Sequence, residues 1–281
     1  MNKLLVCTDG SQYSQVACRY AAWLAKITNS PITALYVTDL RIFEISAVAD
    51  LSGSLGIQPF EGMVSQLQEV ETIKAKFVEE QAMTVFKEEG VEESVEFVHE
   101  TALLVDIVKE MASGVATMVL GKRGENADFD KAHLGSMLER IIRSVQKPSF
   151  VGNRKYSEIE EIAIAYDGGV SSKLAIDYFT TQAAFHKMRF HVLSCVEGRD
   201  EELASKRLTE VEELFATVGV EARYQVLNGV VETAISEYIE DNEVDLLVLG
   251  AYGHSRIREL LIGSTTTELL RRCHVPVFCF R

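Results

Sequence analysis

Residues 245–253 read DLLVLGAYG and, after nine more residues, 263–266 read GSTT. An apolar run of this length predicts a buried strand, and glycines at its end let the backbone approach a ligand closely. The segment from Gly263 onward reads as a helix start, whose unpaired amides and positive dipole end suit a phosphate. The stretch therefore predicts a site for the phosphates of a nucleotide. The alternative is a purely structural role, as a glycine-rich turn followed by an ordinary Ser/Thr helix cap.

The first half repeats this construction. Residues 117–124 read TMVLGKRG, and Gly135-Ser136 follows after ten residues. An apolar run ending in Asp-Gly precedes each copy, at Asp9 and at Asp167. The polar stretch 152–158 separates the two copies, so the sequence predicts one domain over 1–152 and a second over 153–281.

Short apolar runs alternate with segments of helical period in both halves. Ser11 or Ser14 is placed to cap a helix whose apolar side chains recur every three or four residues, and Ile32–Thr38 reads as the next strand. Strands alternating with helices indicate parallel sheets covered on both faces. We therefore expect an α/β protein with two tandem doubly wound parallel-sheet domains, whose ligands lie beyond the carboxyl ends of the strands.

Composition narrows the function classes. The net charge of −14 over 281 residues argues against a sequence-independent nucleic-acid binder, which needs a basic face. The chain shows neither a signal-peptide pattern nor an apolar stretch of membrane-spanning length, so we expect a soluble cytoplasmic protein without membrane contacts. Its five cysteines form no C-x-x-C pair and its six histidines show no metal spacing. We therefore expect reduced thiols and no metal held by protein side chains.

The first half is longer. Asp9 and Asp167 are 158 residues apart, whereas Gly121 and Gly250 are 129 apart, so about 29 extra residues lie between these landmarks. They fall at about 40–63, where weak periodicity predicts a loop with one short helix. The segment is either a surface excursion or, as long loops often are, a flap over a ligand site or an oligomer contact.

The motif G-x-x-G-x9-G-S/T, with Asp at the first strand end and Val275-Pro-Val277 in the last strand, resembles the universal stress protein family. The resemblance covers the whole chain as two tandem copies and is most specific in the second. It implies Rossmann-like domains of the adenine nucleotide α-hydrolase-like kind, packed as a pseudo-dimer. It also implies ATP as the ligand, with Mg²⁺ held by the phosphates.

The resemblance assigns roles in the second half. Residues beside the adenosine or the nucleotide are Ala165, Asp167, Val196, Asn228 and Gly229. Residues lining the ribose and phosphates are Leu249, Gly250, Gly253, Gly263, Ser264, Thr265 and Thr266. The weaker candidates of the first half are Asp9, Val37, Gly121, Gly124, Gly135 and Ser136.

The first half departs from the pattern. Met137, Leu138 and Glu139 stand where the second half has three threonines, which removes hydroxyls and places a carboxylate in the first helical turn. Its spacer carries three acidic residues and Glu100-Thr101 replaces Asn228-Gly229. We expect the first half to bind nucleotide weakly or not at all, and Asp9 to serve either the ligand or only as a helix cap.

These observations favour a cytoplasmic, non-catalytic ATP-binding regulator of stress response with little or no hydrolysis. An interaction scaffold that has lost nucleotide binding is the alternative, and an enzyme that uses ATP is the third hypothesis. The resemblance also implies that the halves pair through their last strands, which contain Phe150 and residues 277–280. Both a pseudo-dimeric monomer and a homodimer fit the sequence.

Overall fold

The structure, a computed structural model, describes residues 3–43, 63–124, 134–196, 198, 201–251 and 263–281. In the first half it gives the strands β1 (Lys3–Cys7), β2 (Ile32–Asp39), β3 (Val95–Ala102), β4 (Val115–Gly121) and β5 (Ser149–Gly152). The helices there are α1 (Gln12–Thr28), α2 (Met63–Glu88), α3 (Leu104–Met111) and α4 (Ser136–Ser144).

The second half repeats the same order of strands and helices. Its strands are β6 (Glu161–Ala165), β7 (Arg189–Val196), β8 (Ala222–Asn228), β9 (Leu246–Gly250) and β10 (Val277–Phe280). Its helices are α5 (Val170–Thr181), α6 (Glu201–Thr217), α7 (Val231–Asp241) and α8 (Ser264–Arg272). Single turns of 3-10 helix lie at Glu92–Ser94, Ala112–Gly114 and Ala183–Phe185.

The ten strands of the described residues form one sheet in the order β3-β2-β1-β4-β5-β10-β9-β6-β7-β8. Pairing is parallel within each half, and only β5 and β10 run antiparallel, with Phe150 opposite Phe278. This arrangement confirms the predicted α/β fold and the predicted pairing of the halves through their last strands. The pairing also removes two strand edges that would otherwise be exposed.

Aromatic side chains fill the junction between the halves. The rings of Phe150 and Phe278 lie 5.6 Å apart, and Tyr20 of α1 packs 5.0 Å from Phe150. Phe150, Phe278 and Tyr20 are all less than 2% exposed. One apolar cluster on each face of the sheet contains residues from both halves, so the two halves share a continuous core.

Helix α1 begins after Ser11, one of the two caps that the sequence predicts. Ser11 caps it by accepting a hydrogen bond from the Ser14 amide, and Asn29 ends it in the left-handed conformation with φ of 50°. Val16, Tyr20 and Leu24 face the core. The segment at 40–63 falls largely on 44–62, outside the described residues, and the boundary at 152/153 stays a prediction.

Candidate functional site

Asp167 follows β6 at the carboxyl edge of the sheet. Its Oδ1 accepts hydrogen bonds from the Gly169 amide at 2.8 Å and from the Ser172 hydroxyl at 2.6 Å. Gly168 between them has φ of 76°, a conformation that favours glycine. The carboxylate thus shapes the loop that starts α5, while its Oδ2 accepts no hydrogen bond from the described part of the chain.

Asp9 has the same local geometry in the first half. Its Oδ1 accepts from the Ser11 amide at 3.0 Å, and Gly10 has φ of 78°. Because Ser11 is the N-cap of α1, Asp9 supports the turn before the helix and is not itself the cap residue. A β-carbon at Gly124 would lie 2.7 Å from Asp9 Oδ2, so the second glycine of the first Gly-x-x-Gly lies against this carboxylate.

The first glycine of each Gly-x-x-Gly has a packing role that sequence reasoning missed. A β-carbon at Gly250 would lie 3.0 Å from Ser171 Cβ and 3.0 Å from the Ser172 backbone nitrogen. At Gly121 it would lie 3.1 Å from the Tyr13 backbone carbon. Each of these glycines therefore lets the first turn of α5 or α1 approach the strand end. Gly253 lies outside the described residues.

The N-terminus of α8 faces this region. Gly263 is the N-cap, no side chain bonds to the cap position, and the Thr267 amide bonds to the Gly263 carbonyl at 3.0 Å. The amides of Ser264, Thr265 and Thr266 precede that first helical bond and are the donors that helix geometry leaves for a ligand. Ser264 is exposed and Thr265 half-buried, so both can be reached from solvent.

Thr266 is placed differently. It is buried, and its Oγ1 lies 3.5 Å from the Ala251 carbonyl, to which it donates. Leu138 is likewise buried at the third residue of α4. This position of the helix therefore faces the core in both halves. Of the three sequence differences here, only Met137 and Glu139 alter groups near the helix surface.

The remaining strand ends also carry predicted residues. Val196 is buried at the end of β7, and Asn228 donates from Nδ2 to Glu201 Oε1 at 2.8 Å. Gly229 has φ of 121° and its amide bonds to the Val196 carbonyl. Ala165 and Leu249 are opposite each other in the β6–β9 pairing. The described second-half candidates at strand ends therefore lie on neighbouring strands at one edge of the sheet.

Sequence reasoning missed one basic side chain, which overlies the turn at Asp167. A β-carbon at Gly168 would lie 2.9 Å from Arg207 Nε, which places the α6 guanidinium above the Asp167 turn. Burial raises the pKa of the Tyr166 phenol, as do Glu210 and Asp167, and Arg207 partly offsets the rise. Half-buried Arg207 makes no hydrogen bond or ion pair with other described residues. The only signal in the sequence is that Arg207 comes one residue before Leu208, a buried residue of α6, so it lies near the buried face of that helix.

In the first half, Val37 lies two residues before the end of β2 and Gly121 ends β4, and both strands pair with β1. The Gly135 amide bonds to the Lys122 carbonyl at 3.2 Å, so the start of α4 adjoins the Gly-x-x-Gly segment. Ser136 opens α4. The described candidates of this half also meet at the carboxyl edge, but with Glu139 in the first turn of the helix.

The five cysteines lie in or against the apolar clusters of the core. Burial raises the pKa of Cys7, Cys18 and Cys279 to about 12, which keeps these thiols neutral, and all five cysteines are free. Within the described ranges, no cluster of three or more His, Cys, Asp or Glu side chains is arranged to hold a metal ion. The helices that can be described include none long and apolar enough to cross a membrane.

Comparison with known proteins identifies the relatives of this fold. The family model described as "Universal stress protein family" matches residues 1–151 and 158–281. A universal stress protein of Synechocystis sp. is 37% identical over 288 residues, covering 100% of both chains. The crystal structure of a universal stress protein from Archaeoglobus fulgidus superposes with a TM-score of 0.76 at 20% identity, covering 100% of this chain and 98% of that one.

Proposed function

Because this chain belongs to the universal stress protein family, we propose that it is an adenine-nucleotide-binding regulatory protein. The ligand is ATP, with Mg²⁺ carried on its phosphates, and it binds at the carboxyl edge of the second half. The protein acts in the cytoplasm, where nucleotide binding changes the surface that it presents to partners. Hydrolysis of the bound ATP is slow or absent. No side chain in the proposed site is assigned a catalytic role.

The N-terminus of α8 is the observation that carries this proposal. Ser264 and Thr265 open a nine-residue helix with accessible hydroxyls and amides that are not committed to helical bonds. The dipole adds positive potential there. Arg207 above the Asp167 turn contributes a cation at the same edge of the sheet.

The first half offers a weaker phosphate site. Glu139 lies in the first turn of α4, where a carboxylate repels a second anion. The Asp9 carboxylate lies against Gly124, on the path that a phosphate between the glycines would take. We therefore propose one nucleotide per chain.

Gly263→Asp tests this assignment without disrupting the helix. Asp and Asn are both favoured N-cap residues, and among the described residues a β-carbon at Gly263 would meet Thr266 Oγ1, at 3.7 Å. Asp adds a negative charge at the phosphate position, whereas Gly263→Asn adds a side chain of the same shape without charge. Calorimetric titration of the full chain with Mg·ATP should give one site, weakened at least about tenfold more by Asp than by Asn.

Equal affinity in the two variants would place the phosphates elsewhere. Two nucleotides per wild-type chain would show that the first half also binds. Absence of binding to wild type would leave the scaffold as the function of this fold.

The scaffold is favoured by a different observation. Val70, Ile73 and Phe77 recur along α2 with exposures of 56%, 62% and 56%, an apolar stripe on the surface. An offset of 129 residues aligns α2 with α6, where charged Glu202 and Lys206 replace Ile73 and Phe77. If Gly263→Asp abolished both ATP binding and partner binding, the hypothesis of an interaction scaffold that works without nucleotide would be wrong.

A further inference from the structure

Both halves and the segment that joins them line a cavity of about 490 Å³. Trp23 and Ile27 of α1 form one wall, and Tyr156 and Ile159, between β5 and β6, form another. The lining also includes the turn 187–189, which leads into β7. The volume lies within the range of small-molecule sites.

This cavity lies apart from the nucleotide candidates, none of which is in its lining. Ile159 precedes β6 whereas Asp167 follows it, so these two residues lie at opposite ends of that strand. Helix α5 does not provide the same aromatic wall. An offset of 158 residues aligns Trp23 with Thr181, where α5 ends, whereas α1 continues to Thr28. The wall is therefore peculiar to α1.

Trp23 presents a polar group as well as an apolar ring. The centroid of its ring lies 6.1 Å from those of Phe150 and Phe185, which hold the indole against the core. The side chain is half-buried, and its N–H makes no hydrogen bond to the described residues. Because the N–H of a buried Trp usually has a partner, this one is a donor available to a ligand.

Tyr156 supplies the second aromatic side chain. The Arg19 guanidinium lies 3.9 Å from the centroid of its ring, and the ring of Tyr20 lies 4.8 Å away. Its hydroxyl makes no hydrogen bond within the described part of the chain. Burial raises the pKa of the Tyr156 phenol, Glu89 and Glu158 add to the rise, and Arg19 partly offsets it. The hydroxyl therefore stays protonated at neutral pH and can donate to a ligand.

Three of the five charged side chains in the lining are already paired. Lys26 Nζ lies 3.0 Å from Glu89 Oε2, and Arg189 Nη2 lies 3.2 Å from Glu160 Oε2. Arg189 also donates from Nε to the Glu161 carboxylate. These three side chains therefore have their charges compensated before any ligand binds.

Lys187 and Glu158 are the remaining two charged side chains. Both are exposed, and neither side chain makes a hydrogen bond or ion pair with other described residues. A ligand with a single charge would be attracted by one of them and repelled by the other. A ligand with one charge of each sign would pair with both, so the free charges of the cavity favour a zwitterion.

We propose that this cavity binds a small zwitterion with an apolar body, such as a free amino acid with a large apolar side chain. The carboxylate of the ligand pairs with Lys187 and its ammonium group pairs with Glu158. Its apolar body lies against Trp23, where binding removes apolar surface from water. This assignment does not depend on whether the second half binds ATP.

The position of Trp23 makes the site directly observable. It is the one tryptophan of the 281-residue chain, so selectively excited tryptophan fluorescence of the full chain reports on this cavity. We expect L-phenylalanine to change the emission in a saturable way. No change at millimolar concentration would overturn the proposal.

Three related probes separate the two charges from the ring. Phenylpropionate lacks the ammonium group, phenylethylamine lacks the carboxylate, and L-alanine lacks the ring. Each singly charged probe should bind at least about threefold more weakly than phenylalanine, and alanine should leave the emission unchanged. Equal affinity for phenylalanine and for either singly charged probe would exclude the zwitterion.

Two single variants test which side chain meets which group of the ligand. In Lys187→Gln, affinity for phenylalanine should fall about threefold, while phenylethylamine binds no more weakly than to wild type. In Glu158→Gln, phenylalanine should again be weakened, while phenylpropionate binds no more weakly than to wild type. A loss of the same size for all three ring-bearing probes would contradict the proposed pairing.

Matched controls locate the response. Lys109→Gln and Glu110→Gln remove exposed charges of α3, outside the lining, and should leave the affinity for phenylalanine unchanged. Circular dichroism of all four variants should match wild type, since the altered side chains are exposed. Saturating Mg·ATP should leave phenylalanine bound. Losses in the controls as large as those in the lining variants, or displacement of phenylalanine by ATP, would overturn the claim of a separate site.

Discussion

Lys122 of the first half donates from Nζ to the carbonyl oxygen of Cys273 in the second half, at 2.9 Å. A second contact joins Nζ to the Arg271 carbonyl at 3.3 Å. These carbonyls end α8, and a cation at a helix C-terminus stabilises it. One half therefore holds the C-terminal end of the helix whose N-terminal end is the proposed phosphate site of the other.

This contact predicts a pH-dependent contribution to stability. Burial, with a smaller effect of Arg123, lowers the pKa of the Lys122 ammonium from 10.5 to about 8, although Cys273 acts in the opposite direction. Between these values the unfolded chain binds a proton that the folded chain does not, so the free energy of unfolding rises with pH through this window. Relative to Lys122→Met, wild type should gain stability from pH 8 to pH 10.

Urea unfolding of both proteins at several pH values measures that difference. Other lysines and tyrosines titrate in both proteins, so their effects cancel in the comparison. A difference that stays flat or falls across the window would show that Lys122 remains charged and solvated in the folded chain.

Gly250→Ala should destabilise the fold through packing alone. The new methyl group would approach Ser171 and Ser172 to 3.0 Å, and overpacking of this kind costs about 1–3 kcal/mol. Gly114→Ala is the matched control because a β-carbon there meets no atom of the described residues within 4 Å. Chemical denaturation should show a loss for Gly250→Ala only. Equal stability of the two variants would mean that the strand end tolerates a side chain and that glycine serves the ligand.

A buried polar network at the opposite edge of the sheet gives another prediction. His191 is 1% exposed, with Nδ1 2.9 Å from the Tyr238 hydroxyl and Nε2 2.8 Å from Glu161 Oε2. Tyr238→Phe leaves the imidazole nitrogen unsatisfied, at a cost of about 1–3 kcal/mol. Tyr224, half-buried and without a side-chain hydrogen bond to the described residues, should tolerate the same change. Thermal unfolding that ranks the two variants equally would argue against this network.

Local patterns could predict much of the fold. Ser11 with the spacing of Val16, Tyr20 and Leu24 predicts α1 because N-cap chemistry and helical period depend on adjacent residues. The pairing of the halves through their last strands follows from the family resemblance rather than from periodicity, and its antiparallel direction comes from the structure.

Contacts between elements that are far apart along the chain could not be predicted from local patterns. Arg207 lies 39 positions after Gly168, and Lys122 lies 151 positions before Cys273. Their proximity depends on how α6 lies on the sheet and on the register of β5 with β10. Gly250 was predicted as a residue of the site, but the closeness of α5 that explains its missing side chain is a tertiary fact.

Asp167 offers the sharpest separation of loop shape from ligand binding. Its Oδ1 supports the turn through Gly169 and Ser172, and Asn keeps an oxygen acceptor there, so Asp167→Asn should unfold close to wild type. Asp167→Ala removes both bonds and should lose about 1–3 kcal/mol. If the carboxylate also accepts a hydrogen bond from the nucleotide, both variants should bind Mg·ATP at least about tenfold more weakly. Wild-type affinity in Asp167→Asn, with loss only in Asp167→Ala, would instead restrict this residue to holding the turn.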